Sequence, residues 1–262
     1  MKSFNFTDIE LKPDESMDAF MEGGLRLIQS KSGYRFSIDA VFLAEFVSTK
    51  PGDVLVDLGT GCGVVALVLL QRRHTRYAVG LEVQPVLADQ ARRNVLLNGL
   101  EGQMGVILGD IRHPPLAPGI ADVVVCNPPY RRKASGRINP DPQRALARHE
   151  IRASLDDILG AAARLLRAKG RLAMIYPAAR LTDLLVRMRG LELEPKRLRL
   201  VHPARALEAK RVLVEATHGG RAGIKILPPL LDQGGYSIIG NNPSGSRFRS
   251  PLIAELPHEP RP

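Results

Sequence analysis

The sequence predicts an α/β fold, a mostly parallel sheet with helices on both faces, and three observations carry that expectation. Short apolar runs alternate with helical patterns from Val54 to Pro177, and strands joined through helices pair in parallel with the helices laid over both faces. The first strand runs straight into a glycine-rich turn, "DLGTGCG" at 57–63, where sheets of this kind open a ligand crevice at their carboxyl edge. A chain of 262 residues, 44% hydrophobic, can bury one large core with appendages.

Residues 1–36 read as an N-terminal extension in which "GLRLIQSKSGYRF" (24–36) alternates as a hairpin does. Ser37 is a natural N-cap for "IDAVFLAEFV", with Asp39 in the first turn. A strand over 54–57 leads through the glycines into the helix "VVALVLLQRR". "YAVGLEV" is the second strand, and "PVLADQARRNVLLNGL" a helix closed by Asn98-Gly99. "MGVILGDI" and "ADVVVCNPPY" are the third and fourth strands, followed by a Gly/Pro/Arg-rich insert over 131–150. "SLDDILGAAARLLRAKG" is a helix with a glycine stop, "RLAMIYP" the fifth strand, and "AARLTDLLVRMRGL" another helix. "EPKRLRLVHP" and "KRVLVEATHG" are the last two strands, so that residues 37–235 form the main domain. Residues 236–262 are a Pro/Gly-rich tail with the composition of a poorly packed segment.

The net charge of +10 makes a polyanion an expected partner, nucleic acid before membrane. No apolar run reaches the length of a membrane span, and the first twenty residues lack the apolar core of a signal peptide. Cys62 and Cys126 sit in apolar contexts without metal-ligand spacing, as reduced thiols of a cytoplasmic protein do. The six histidines are scattered and none is expected to act in catalysis.

Gly59, Gly61 and Gly63 allow a sharp turn that brings backbone N–H groups at a helix start close to a ligand. Their G-x-G-x-G spacing differs from the G-x-G-x-x-G of dinucleotide sites. Asp57 would repel phosphates, and suits either a cationic ligand or a brace for the loop. Glu82 ends the second strand, where an acid accepts from both ribose hydroxyls. Asp110 ends the third, placed to accept from an adenine amino group. Three acids around a glycine loop describe a site for an adenosine without phosphates, which S-adenosylmethionine fits better than NAD.

"NPPY" closes the fourth strand at the same edge. Pro128 and Pro129 fix φ, and Pro128 has no N–H, so the corner is rigid and ends the sheet. The Asn127 side-chain oxygen and the Pro128 carbonyl can then both accept from one NH₂ group. Such a grip favours a pyramidal nitrogen and stabilises the positive charge that grows on it during attack on an electrophile. Tyr130 offers a ring on which a planar substrate stacks. Arg131, Arg132, Lys133, Arg137, Arg144 and Arg148 follow, cations suited to phosphates flanking a flipped base.

"DLGTGCG", "GLEVQP", "LGDI" and "NPPY" in this order resemble the class I S-adenosylmethionine-dependent methyltransferases that modify amino nitrogens. "GYRFSIDAVFLAEFV" ahead of them is similar to the bacterial group that includes the valine-tRNA adenine-N6 methyltransferase. The resemblance spans roughly residues 20–235. It implies a Rossmann-like, seven-stranded, mostly parallel sheet with an antiparallel last strand. It further implies that Gly59, Gly61 and Gly63 wrap the methionine part of the cofactor, that Glu82 takes the ribose and Asp110 the adenine, and that the segment around Ser37 and Asp39 closes over the methionine end. The expected activity is methyl transfer to an exocyclic amino nitrogen, adenine N6 of tRNA or another structured RNA first, without a metal. A glutamine-N5 protein methyltransferase uses the same corner and stays open; the basic insert and the lack of a long helical domain before the glycine loop weigh against it. An NAD-dependent oxidoreductase and a non-catalytic RNA-binding protein are the readings from other classes.

Overall fold

The computed structural model describes residues 9–20, 24–32, 35–72, 75–128 and 153–232. Strands β1 (Glu15–Phe20) and β2 (Leu25–Ser30) form a separate antiparallel hairpin, with Glu15 opposite Ser30 and Phe20 opposite Leu25. There follow α1 (Ile38–Phe46), β3 (Val54–Leu58), α2 (Val64–Gln71), β4 (Tyr77–Glu82), α3 (Pro85–Leu97), β5 (Met104–Leu108) and β6 (Ala121–Cys126). After the insert come α4 (Leu155–Leu165), β7 (Leu166–Pro177), a 3-10 turn at Ala178–Arg180, α5 (Leu181–Gly190), β8 (Leu193–His202) and β9 (Arg211–His218). Two short strands, β10 (Lys225–Ile226) and β11 (Leu230–Leu231), finish the described chain.

The large sheet runs β10-β8-β9-β7-β6-β3-β4-β5, with β11 also on β8. β3 pairs in parallel with β4 and β6, β4 with β5, and β6 with β7, while β9 runs antiparallel between β7 and β8. The expected seven strands with an antiparallel last one are therefore present, and β10 and β11 are additions the sequence did not announce. The chain leaves β3 toward β4 and β5, then returns to the other side of β3 as β6. That reversal opens the crevice of a doubly wound sheet between β3 and β6, above their carboxyl ends.

β6 shows why the sheet is central. Val123 and Val125 enter one buried cluster, with α1 and α2; Val124 and Cys126 enter the other, with α4 and α5. Alternate side chains of a strand point to opposite faces, so a strand covered on both sides reads as one unbroken apolar run. α2 is buried along Val64–Leu70 because α1 packs over it as well as the sheet under it.

Three local expectations are corrected. The hairpin lies at 15–20 and 25–30, not within 24–36, since its first strand, "ESMDAF", hides acids whose partners are distant in sequence. The helix after the insert ends at Leu165 rather than at the glycine, because Leu166 turns extended (ψ 133°) and pairs with Ala121. Ser37 occupies the N-cap position of α1 with an extended backbone, yet its side chain makes no capping bond. The α3 stop is as expected, with Asn98 at the C-cap and Gly99 at φ 65°.

Candidate active site

The glycine loop is shaped from below by β4. The amides of Gly59 and Thr60 both donate to the Leu81 carbonyl, at 2.9 and 3.1 Å, so the chain folds over the end of the neighbouring strand as soon as β3 finishes. Gly59, Gly61 and Gly63 have φ of 72°, 59° and 93°, a region in which a Cβ is strained. Gly63 is also the N-cap of α2, so the loop delivers the chain directly into a helix start.

Two buried carboxylates hold this loop. Glu82, 5% exposed, accepts from Gly61 N through Oε2 and from Gln84 N through Oε1, both at 2.9 Å. A carboxylate has about four lone-pair positions, so the two bonds leave it acceptor capacity while fixing its plane. Asp57, 2% exposed, accepts the Thr60 hydroxyl at 2.7 Å and sits beneath the loop rather than on its surface. Burial, with Glu82 close by, pushes its carboxyl up to about 7, against the opposing hydrogen bond from Thr60. Asp57 thus holds the loop from beneath through the Thr60 hydroxyl.

The other acids are engaged differently. Asp110 follows β5 and faces Arg112 of its own loop, which reaches it with its backbone N–H at 2.8 Å and with Nε at 2.9 Å. The Arg112 guanidinium holds the Asp110 carboxyl below its usual range. A ligand amino group at Asp110 therefore has to share that carboxylate with Arg112. Asp39 is buried and paired with Arg211 Nε at 2.5 Å, and Arg211 also reaches Asp232 at 3.4 Å. Burial raises the Asp39 carboxyl, with Arg211 opposing. Asp39 thus ties α1 to the start of β9, whereas Asp57, Thr60, Gly61 and Glu82 share one hydrogen-bonded cluster.

Asn127 and Pro128 extend β6 at the same edge. Cys126 is in register with Leu58 of β3 and Met174 of β7, which sets Asn127 level with Gly59, at the switch point. Asn127 is half-buried and Pro128 buried. Tyr130 and the cations Arg131, Arg132, Lys133, Arg137, Arg144 and Arg148 lie outside the described residues. Cys62 and Cys126 are buried free thiols, and burial pushes Cys62 up to about 12, so neither is poised as a nucleophile.

Two supporting residues escaped the reading of the sequence. Gly80 lies in β4 under Thr60, where a Cβ would stand 2.8 Å from the Thr60 methyl; a glycine inside a strand pattern is the signal for such close approach. Asn94 of α3 is fully buried and its amide reaches the Cys62 carbonyl at 2.9 Å. Its signal was the repeat of amide residues at 90, 94 and 98.

The methyltransferase small domain profile matches residues 32–183. A curated tRNA1(Val) (adenine(37)-N6)-methyltransferase of Porphyromonas gingivalis strain ATCC 33277 is 33% identical over 195 residues, 71% of this chain and 76% of that protein. The protein of the same name in Phocaeicola vulgatus is 32% identical over 177 residues, 67% of this chain and 74% of its own. Among solved structures, a predicted O-methyltransferase of Agrobacterium tumefaciens superposes with a TM-score of 0.60 at 21% identity, over 77% of this chain and 91% of that one. A geranyl diphosphate C-methyltransferase of Streptomyces coelicolor, solved with S-adenosyl-L-homocysteine, gives 0.51 at 16% identity, over 68% and 74%. A profile match across more than half of the chain, and a relative 33% identical over 71% of it, show that the chain belongs to the methyltransferase small domain family.

Proposed function

We propose that the protein transfers a methyl group from S-adenosylmethionine to N6 of an adenine in tRNA. The observation that carries this reading is the register that sets Asn127, the first residue of an Asn-Pro-Pro-Tyr corner, level with the glycine loop. Relatives named as tRNA adenine-N6 methyltransferases support the acceptor.

S-adenosylmethionine, when bound, supplies a sulfonium methyl open to in-line displacement. In this reading Gly59, Gly61 and Gly63 wrap its methionine part. Glu82 accepts from the ribose with the capacity that Gly61 and Gln84 leave, and Asp110 accepts from the adenine. The segment around Ser37 and Asp39 closes the methionine end. Asn127 and the Pro128 carbonyl take the two hydrogens of the target amino group, stabilising the charge that grows on nitrogen. The proton leaves to water after transfer, so no strong general base is required. Tyr130 stacks on the base, and the cations from Arg131 to Arg148 bind the flanking phosphates. In this reading an RNA substrate goes with a reaction in the cytoplasm. Among the described residues no helix is long and apolar enough to cross a membrane.

Methyl-labelled S-adenosylmethionine, offered together with unmodified tRNA and with bacterial protein, separates the acceptors. Label should enter RNA. Label confined to a glutamine side chain of protein would overturn the RNA reading and leave the corner's chemistry intact.

A further inference from the structure

Among the described residues no strand pairs with the free edge of β2; the hairpin lies against helix α3, and the contact is regular. Gln90 Nε2 donates to Ser30 Oγ at 3.1 Å. Asn94 accepts from Ile28 N at 2.6 Å and donates to Ile28 O at 3.1 Å. Asn98 accepts from Arg26 N at 2.9 Å and donates to Arg26 O at 2.8 Å. Each step of four residues along α3 thus meets a step of two along β2, in the opposite direction.

The two repeats match physically. Four helical residues rise about 6.0 Å, and two strand residues rise about 6.6–6.8 Å. Asn94 and Asn98, one turn apart, therefore do for β2 what a neighbouring strand would do, satisfying the N–H and C=O of Ile28 and Arg26, while Gln90 meets the Ser30 side chain. Arg93 adds a charged clasp on the same helix, with Nη2 at 2.5 Å and Nη1 at 2.8 Å from the two oxygens of Glu15 in β1.

The central rung does one thing more. The Asn94 Nδ2 that donates to Ile28 O also donates to Cys62 O at 2.9 Å. Cys62 lies between Gly61 and Gly63, so fixing its carbonyl fixes the peptide plane from which the Gly63 N–H departs. From the next residue of β2, Gln29 accepts the Phe36 N–H at 3.0 Å, just before Ser37 and α1. The hairpin is thereby connected both to the glycine loop and to the entry of α1.

We propose that Asn94 is a positioning residue for the cofactor: it transmits the register of the hairpin on α3 to the Cys62 carbonyl, and so sets the glycine loop. The N-terminal hairpin is on this account part of the cofactor scaffold. The proposal rests on the glycine loop being the S-adenosylmethionine site.

The test compares the full-length wild type, Asn94→Ala, Asn94→Asp and Asn98→Ala. Asn94→Asp keeps the shape and the acceptor for Ile28 N, and loses both donors. Asn98→Ala removes a rung of the ladder that does not touch the loop. Isothermal titration with S-adenosylmethionine should show a dissociation constant about tenfold higher for both Asn94 variants, the size expected for one lost buried hydrogen bond. Asn98→Ala should stay within about twofold: it gives up bonds to Arg26 and to the Asn94 carbonyl, but the Asn94 side chain keeps its bond to Cys62 O. The KM for S-adenosylmethionine should rise in parallel, with the KM for tRNA unchanged, a split that a merely structural role would not produce. Equal losses in Asn94→Ala and Asn98→Ala, or unchanged binding in Asn94→Asp, overturn the proposal. A wild type that does not bind S-adenosylmethionine overturns the reading of the site as well. Hydrogen exchange on the wild type needs no variant to fold: adding S-adenosylhomocysteine should protect the Ile28 and Gly61 amides together, and protection of Gly61 alone contradicts the coupling.

Discussion

Gly80→Ala tests whether the floor of the cofactor loop is as tightly packed as the structure shows. A Cβ at position 80 would lie 2.8 Å from Thr60 Cγ2, 3.0 Å from its Oγ1 and 3.1 Å from its Cβ. Thr60 cannot swing away freely, because its hydroxyl is bonded to the buried Asp57 carboxylate and its amide to Leu81 O. Overpacking of this kind costs about 1–3 kcal/mol. Replacing glycine by alanine in an extended segment returns about 0.4–1 kcal/mol through the unfolded chain. The mid-values leave a net loss of about 1.3 kcal/mol, or a Tm lower by about 3–5 °C for a protein of this size. Thr60→Ser removes the methyl that makes the closest contact while keeping the hydroxyl for Asp57. The double variant should therefore recover at least half of the loss when the four proteins are compared by urea unfolding. A Gly80→Ala protein as stable as wild type, or a double variant no better than Gly80→Ala, would refute the packing account.

Further predictions concern the acids and the corner. Asp57 is pushed up to about 7 by burial from an ordinary 3.8. The folded state then holds a proton that the unfolded chain releases, so stability falls as pH rises from about 4 to about 7 and is level above. Asp57→Asn should flatten that slope in urea midpoints measured at pH 5 and pH 8. Arg211→Ala leaves the Asp39 carboxyl buried without its cation, and should cost about 2–3 kcal/mol, below the full value for a buried pair because Arg211 is partly exposed. Adding Asp39→Asn should restore most of it in chemical unfolding. Asn127→Ala should lower kcat by about 10²–10³-fold, the usual cost of one aimed polar group at a developing charge, with S-adenosylmethionine binding nearly unchanged.

The parallel sheet and the position of the crevice were legible because both follow from local signals. The run Ala121–Cys126 is apolar on both faces, and the glycines sit where β3 must turn into α2. The hairpin was misplaced because Glu15 and Asp18 look like surface acids. Both are buried, through Arg93 on α3 and Arg35 beyond β2, and no local pattern announces partners that far along the chain. The stop of α4 was misplaced for a related reason. Leu166 is a good helix former in sequence, and it turns extended because the edge residue Ala121 of β6 takes it as a partner. Within the site, Glu82 was placed from its strand end alone. That Gly61 and Gln84 hold it, and that Arg112 engages Asp110, depend on loop geometry that the strand pattern does not encode.

The measurement that bears most directly on the proposed activity is nucleoside mass spectrometry. Unmodified tRNA would be incubated with methyl-labelled S-adenosylmethionine and either the wild-type protein or Asn127→Ala, then digested. Labelled N6-methyladenosine from the wild type, reduced by two orders of magnitude or more with Asn127→Ala, is the predicted result. Label on another nucleoside, or equal N6-methyladenosine from both proteins, would contradict the adenine acceptor in the first case and the role of the Asn127 corner in the second.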